Sequence, residues 1–284
     1  KMIRNSEAAY KSKEEIKAFQ EEGMRSTLEY VYGHSPFYRR LYDENGVDVS
    51  SIRTIEDLTR LPVTTKKDLQ LSNQDFICVP REDIIDYVTT SGTLGEPVTF
   101  ALTESDLQRL SYNEVSSFTM AGCSKGDIMQ LMTTLDRRFM AGLAYYMGAR
   151  ELGIGLVRVG NGIPELQWDT INRVQPTVCV VVPSFIMKLI EYAEANGIDY
   201  RRSPLKRAIC IGEALRTHEG ELTTLGQKIT EKWPELELFS TYASTEMQSS
   251  FTECEHHSGG LVPVDLIIVE FLDENNMRVK DSEA

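Results

Sequence analysis

The sequence predicts an α/β fold: a largely parallel sheet flanked by helices and preceded by a helical N-terminal segment. Three observations lead there. The composition, 41% hydrophobic and 26% charged over 284 residues, is that of a globular chain rather than a disordered or fibrous one. Residues 1–80 carry helix starts and stops but no strand-like run. From about residue 85 onward, short apolar runs alternate with helical stretches, the pattern that builds parallel sheets.

Residues 7–32 read as a helix. Ile16, Phe19, Met24, Leu28 and Val31 keep a loose helical spacing among the polar Glu14, Glu15 and Lys17. Ser35-Pro36 breaks it, because the residue before a proline resists the α region. Residues 37–45 form a short helix ended by Gly46, and Thr54 and Thr65 each open a capped helical turn. Residues 84–89 and 97–102 read as strands on either side of a glycine-rich turn. Further strands are expected at 128–131, 155–159, 178–182, 208–211 and 236–239, with a strand-like run at 266–272. Helices are expected at 104–121, 138–152, 165–174, 184–196 and 217–232. The chain divides on this reading into a helical segment, 1–80, and an α/β body, 81–284.

Charge narrows the function classes. Thirty Lys and Arg against 43 Asp and Glu leave a net charge of −13. Affinity for nucleic acid comes mostly from cations that neutralise phosphates, and only short basic pairs such as Arg39-Arg40 and Arg137-Arg138 occur. Nucleic acid is therefore not expected as a partner. No run approaches the roughly 20 apolar residues of a membrane helix, so no membrane partner is expected either. The N-terminus has no apolar signal core. Cys78, Cys123, Cys179, Cys210 and Cys254 are odd in number and scattered, which fits a reducing, cytoplasmic compartment.

Three segments at the ends of predicted strands carry chemistry. Thr89-Thr90-Ser91-Gly92-Thr93-Leu94-Gly95-Glu96-Pro97 offers hydroxyls, and its glycines turn the backbone to expose N–H groups. That is a nest for phosphate oxygens, or else an ordinary hairpin turn. It lacks the Gly-Lys-Ser/Thr of a Walker loop. Ile211-Gly212-Glu213-Ala214 follows a strand; Gly212 permits close approach of a flat ligand, or simply makes a turn beside an exposed acid. Ser240-Thr241-Tyr242-Ala243-Ser244-Thr245-Glu246 offers an aromatic ring for stacking, a hydroxyl for a phosphate oxygen and a carboxylate for Mg²⁺. Its other reading is a helix N-cap with a capping acid.

In this order and spacing the three segments resemble the acyl-adenylating superfamily of acyl-CoA synthetases, peptide-synthetase adenylation domains and luciferases. They stand where that family has its Thr-Ser-Gly-Thr-Thr-Gly-x-Pro loop, its Gly-Glu element and its Tyr-Gly-Ser-Thr-Glu element. Ser35-Pro36-Phe37-Tyr38 and Leu61-Pro62-Val63-Thr64-Thr65-Lys66-Lys67-Asp68-Leu69 make the chain most similar to the phenylacetate–CoA ligase branch. The resemblance covers essentially the whole chain.

The resemblance implies ATP-dependent activation of a carboxylic acid, release of pyrophosphate, and transfer of the acyl group from AMP to CoA. It assigns Ser91, Gly92, Thr93 and Gly95 to the phosphates, and Gly212, Glu213, Ala214, Tyr242, Ala243 and Ser244 to the nucleotide. Thr245 is assigned to the α-phosphate and Glu246 to Mg²⁺, as the catalytic pair. Phe139, Met140, Ala141 and Ile211 are assigned to the acyl pocket, an apolar lining suited to an aryl or alkyl acid; plain helix packing is the other reading of Phe139 and Met140. Cys254, His256 and His257 are borderline-soft donors suited to zinc. Some relatives complete such a site with a downstream Cys-x-Cys; an exposed polar loop is the other reading. Branch relatives are often homodimers through the helical segment.

The chain departs from the family pattern at Leu94, Glu96, Ala243 and Ile211. Leu94 removes a hydroxyl donor, and a hydrogen bond to a charged partner is worth roughly 1.5–3 kcal/mol. Relatives also continue past the residues at which this chain stops, into a mobile domain with a catalytic lysine and part of the CoA site. The expectation is therefore the N-terminal body of a longer enzyme. Two other readings stand beside the CoA ligase: an adenylating enzyme that passes its acyl group to a carrier protein or amine, and a degenerate nucleotide-binding relative.

Overall fold

The computed structural model describes residues 10–90, 95–275 and 277–279. The chain forms two compact units, residues 1–105 with 263–284, and residues 106–262.

The first unit is built from capped helices. α1 (Lys13–His34) starts where the Ser12 side chain and Glu15 form a capping box. Of the helix expected over 7–32, residues 7–9 lie outside the described residues, and from this cap α1 runs on to His34. α2 (Pro36–Glu44) has Ser35 as N-cap and Pro36 in its first turn, where a missing N–H costs nothing. Thr54 with Asp57 and Thr65 with Asp68 make two more capping boxes; the first opens a 3₁₀ turn, the second α3 (Lys66–Leu71). Met24, Leu28, Tyr42 and Ile52 form the core of this unit, and Ile268 packs against them. The run 266–272, expected as a strand, is none: among the described residues it makes an isolated bridge between Leu272 and Arg278. Packing of Ile268 on the helices takes the place of sheet pairing.

β1 (Asp86–Thr89) and β2 (Thr99–Leu102) form an antiparallel pair in this unit, with Thr89 opposite Thr99. Thr90 closes the loop beyond them: its N–H donates to Val98 O at 3.0 Å, and its hydroxyl accepts from Val98 N at 3.0 Å.

The second unit holds a six-stranded sheet in the order β4-β3-β5-β6-β7-β8. β3 (Ile128–Leu131), β4 (Gly155–Arg158), β5 (Val178–Val181), β6 (Arg207–Cys210) and β7 (Glu237–Ser244) are parallel; β8 (Ser249–Thr252) returns antiparallel to β7. Helices α4 (Glu104–Met120), α5 (Met140–Leu152), α6 (Pro164–Val174), α7 (Pro183–Ala195) and α8 (Thr224–Lys232) complete it.

The two-residue period of the strands separates two cores. Cys179 and Val181 of β5 face one cluster, with Trp168, Ile186, Leu189 and Trp233. Val178 and Val180 face the other, with Phe118, Tyr145, Met129 and Phe239. β5 is buried along its whole length, which is why its sequence is an unbroken apolar run.

Two boundaries in this unit differ from expectation by more than two residues. The helix expected over 217–232 covers only α8, because Thr223 is its N-cap, and Arg216 and Leu222 form a bridge around Gly220 at φ 85°. The strand expected to end at 239 runs on to Ser244, because β8 pairs with it. Among the described residues, no helix is long and apolar enough to cross a membrane.

Candidate active site at the carboxyl ends of the parallel strands

Open parallel sheets bind ligands beyond the carboxyl ends of their strands. In the second unit, β6 and β7 carry two of the three segments that the sequence singled out.

β6 leads into Ile211, whose N–H continues the ladder to Val181 O at 3.0 Å. Gly212 then turns the chain at φ 74°, a left-handed conformation that favours glycine. Glu213 follows, and its carboxylate is engaged. Its Oε2 accepts the Ser184 N–H and its Oε1 accepts the Ser184 hydroxyl, both at 2.8 Å. Ser184 lies in the first turn of α7, where backbone N–H groups lack helical acceptors and the helix dipole favours a negative charge. Glu213 therefore ties the end of β6 to the start of α7. Gly212, Glu213 and Ala214 are all exposed at that edge, so their backbone is accessible.

The last two residues of the third segment sit in a hairpin turn, not at a helix N-cap. Tyr242, Ala243 and Ser244 lie in β7 opposite Phe251, Ser250 and Ser249 of β8. The Ser244 hydroxyl accepts from Met247 N at 3.1 Å, and Ser244 O accepts from Gln248 N at 3.1 Å, so Thr245 and Glu246 sit in the turn. Thr245 is half-buried and Glu246 exposed. Tyr242 is 66% exposed, with one neighbouring ring, Phe251, at 6.0 Å between centroids. A large aromatic left open on a strand near a ligand edge is available for stacking.

α5 follows the end of β3. Phe139 is its half-buried N-cap residue, and Met140 is buried. Ala141 and Ile211 belong to one apolar cluster with Tyr145 and Phe239, so the structure brings two of the four expected pocket residues together. Gly142 allows the helix to press against the preceding loop. A Cβ there would stand 2.2 Å from Thr134 O.

Gly95 lies in the first unit at φ 116°, against the Gln70 side chain. Ser91, Gly92 and Thr93, expected to hold phosphates, and Leu94 lie outside the described residues.

The expected zinc ligands do not form a set. His257 Nδ1 lies 3.3 Å from Glu253 Oε2, and its Nε2 lies 3.2 Å from Glu237 Oε1. Glu253 is itself buried, ion-paired with Arg216 and bonded by Ser240 N at 3.0 Å. His256 is exposed. Among the described residues, no three His, Cys, Asp or Glu side chains are placed to hold a metal. Carboxylates engage both ring nitrogens of His257, and the donor set does not fit zinc.

Sequence reasoning missed Asn113, Glu114 and Tyr145. All three are buried beside this edge, on α4 and α5. Burial pushes the Glu114 carboxyl up to about 8, against a smaller opposing effect of its hydrogen bond from Asn113. Burial also raises the Tyr145 hydroxyl, with a further push from Glu114. The available signal was the helical spacing of Arg109, Asn113 and Ser117, a polar row on a helix that has to be packed.

Residues 10–283 match the family model described as AMP-binding enzyme. Over 199 residues, 69% of this chain and 44% of its relative, the sequence is 34% identical to the phenylacetate-coenzyme A ligase of Thermus thermophilus. It is 32% identical over 184 residues to the Escherichia coli K12 phenylacetate-coenzyme A ligase, covering 64% of this chain and 42% of that one. The chain thus spans under half the length of these curated relatives. A solved 2-hydroxyisobutyryl-CoA ligase, in complex with 2-HIB-AMP and CoA, is similar over 94% of this chain and 57% of its own, with a TM-score of 0.83 and 25% identity.

Proposed function

Because the chain belongs to the family of AMP-binding enzymes, we propose that it carries the nucleotide and acid sites of an ATP-dependent carboxylic acid–CoA ligase, acting on a phenylacetate-like aryl acid. The observation that carries this reading is the pairing of two ordered elements on neighbouring strands. Gly212 and Glu213 follow β6, and Tyr242 to Ser244 lie on β7, at the ligand edge of one parallel sheet.

In the first step a carboxylate oxygen of the acid attacks the α-phosphorus of ATP. The bond from that phosphorus to the bridging oxygen breaks, and pyrophosphate leaves with its electron pair. In the second step the CoA thiol gives its proton to solvent and its sulfur attacks the acyl carbon; the bond from that carbon to the phosphate oxygen breaks, and AMP departs with the electron pair. The first step crowds anions, so donors and a metal ion have to offset charge as it develops. ATP arrives as its Mg²⁺ complex, and Mg²⁺ takes one or two carboxylates together with substrate phosphates. Glu246 would be that carboxylate, and Thr245 would donate to an α-phosphate oxygen. Tyr242 would stack on adenine, bordered by the backbone of Gly212, Glu213 and Ala214; Ala243 and Ser244 would carry the strand past the nucleotide. Glu213 supports this by holding the edge through Ser184 rather than by touching the base with its carboxylate. Ser91, Gly92, Thr93 and Gly95 would take the β- and γ-phosphates. Phe139, Met140, Ala141 and Ile211 would line the acid pocket.

Adding CoA to acyl-adenylate formed on the complete protein tests the acceptor. Thioester and AMP released together, with no transfer to an amine or carrier protein, is the expected result.

A further inference from the structure

We propose that α4 is the positioning element for the turn that carries Thr245 and Glu246, with Asn113 as its central positioning residue. The proposal rests on the nucleotide reading above for its consequence, but on geometry for its substance.

Three residues of α4 spaced four apart meet three residues of the hairpin spaced two apart. Arg109 donates from its guanidinium to Gln248 O. Asn113 bonds Ser250 through both backbone and side chain. Ser117 and Thr252 share a hydroxyl–hydroxyl bond of 2.6 Å, and Thr252 passes it on to the Thr241 hydroxyl at 3.1 Å. Four helical residues rise about 6 Å and two strand residues about 6.6 Å, so the two rows stay in step over this length.

Asn113 uses its whole amide. Its Oδ1 accepts from Ser250 N and from the Ser249 hydroxyl, each at 3.1 Å. Its Nδ2 donates to Ser250 Oγ at 2.9 Å and to Glu114 Oε1 at 3.0 Å. β8 ends the sheet order, and the Ser250 N–H finds its acceptor on a side chain rather than on another strand. All of these groups are buried, so each bond is expensive to leave unmade. Glu114 backs the amide from the α5 side, where a Cβ on Gly148 would stand 2.4 Å from its Cβ.

The turn lies directly beyond this seam. Within it, Ser244 accepts from Met247 N and Gln248 N, and Gln248 stands in the left-handed region at φ 50°. A small displacement of catalytic groups can cost a hundredfold in rate, so the seam sets where Thr245 and Glu246 stand.

The test uses Asn113→Ala and Ser250→Ala in the complete protein, read by amide hydrogen exchange and by kinetics. We expect exchange to quicken at least tenfold in residues 244–250 in both variants, with β5 and β6 unchanged. We expect the KM for MgATP to rise about tenfold while the KM for the acid holds. Unchanged protection at 244–250, or loss spread equally over β5 and β6, overturns the proposal, because the seam would then be structural only. If Asn113→Ala does not fold, Ser250→Ala decides alone, since it removes one bond and keeps the amide. A wild-type protein without acid-dependent turnover counts against the ligase reading, while hydrogen exchange still decides this one.

Discussion

Glu213 holds Ser184 twice, its two carboxylate oxygens accepting the backbone N–H and the hydroxyl of that one residue at 2.8 Å each. The partners lie 29 residues apart and join the end of β6 to the first turn of α7. Glu213→Ala should therefore cost about 1 kcal/mol or somewhat more, the usual value of a lost helix N-terminal acceptor. Glu213→Gln should lose less, since one oxygen remains. Urea unfolding of both variants checks this; an alanine variant as stable as wild type would show that the bridge contributes nothing.

Tyr242 is open where a base would stack, and its exposure means that removing it costs little stability. Tyr242→Ala should weaken ATP binding by about 1–3 kcal/mol, the value of one base on one ring. Tyr242→Phe should leave affinity unchanged, since the ring and not the hydroxyl is used. Calorimetric titration with ATP, alongside melting curves, separates the two effects.

Glu114 predicts a pH dependence. Its carboxyl rises from an ordinary value of 4.5 to about 8 in the folded protein, through burial. Between those values the folded state binds more protons than the unfolded one. Stability is therefore highest at the low end and falls as pH rises through the window, by up to about 1.4 kcal/mol per unit. Glu114→Gln should flatten this slope and be more stable than wild type at pH 8. Denaturant unfolding at pH 5.5 and 8 measures it; parallel profiles would remove Glu114 as the cause.

Gly142 tests the acid pocket. A Cβ would stand 2.2 Å from Thr134 O and 2.8 Å from Leu135 Cα, both backbone atoms. Gly142→Ala should cost about 1–3 kcal/mol, as overpacking does, and should displace Phe139 and Met140. The expected kinetic signature is a raised KM for the acid with the KM for ATP nearly unchanged. Steady-state kinetics with each substrate varied in turn would reveal it.

How far the chain can be read from its sequence depends on how local each cause is. Ser35-Pro36, Thr54 with Asp57 and Thr65 with Asp68 act within one turn, and all open helical turns where expected. The fully buried β5 shows itself as an apolar run. β8, which reads Ser-Ser-Phe-Thr, carries no such signal, because its polar side chains meet polar partners on α4 and β7. Residues 266–272 look like a strand, yet Ile268 packs on helices instead. At the site, Gly212 was legible as a turn, but the partner of Glu213 comes from the first turn of α7, 29 residues away. Cys254, His256 and His257 look like metal donors only until Glu237 and Glu253 are seen beside His257.

The central claim is adenylate formation, and acid-dependent ATP–pyrophosphate exchange tests it most directly. The complete protein would be assayed with Mg²⁺ against phenylacetate, indoleacetate, benzoate and short fatty acids. The account predicts exchange that depends on an aryl acid and is lost when Glu246 is changed to Gln. ATP binding with no exchange in the presence of any of these acids would contradict it.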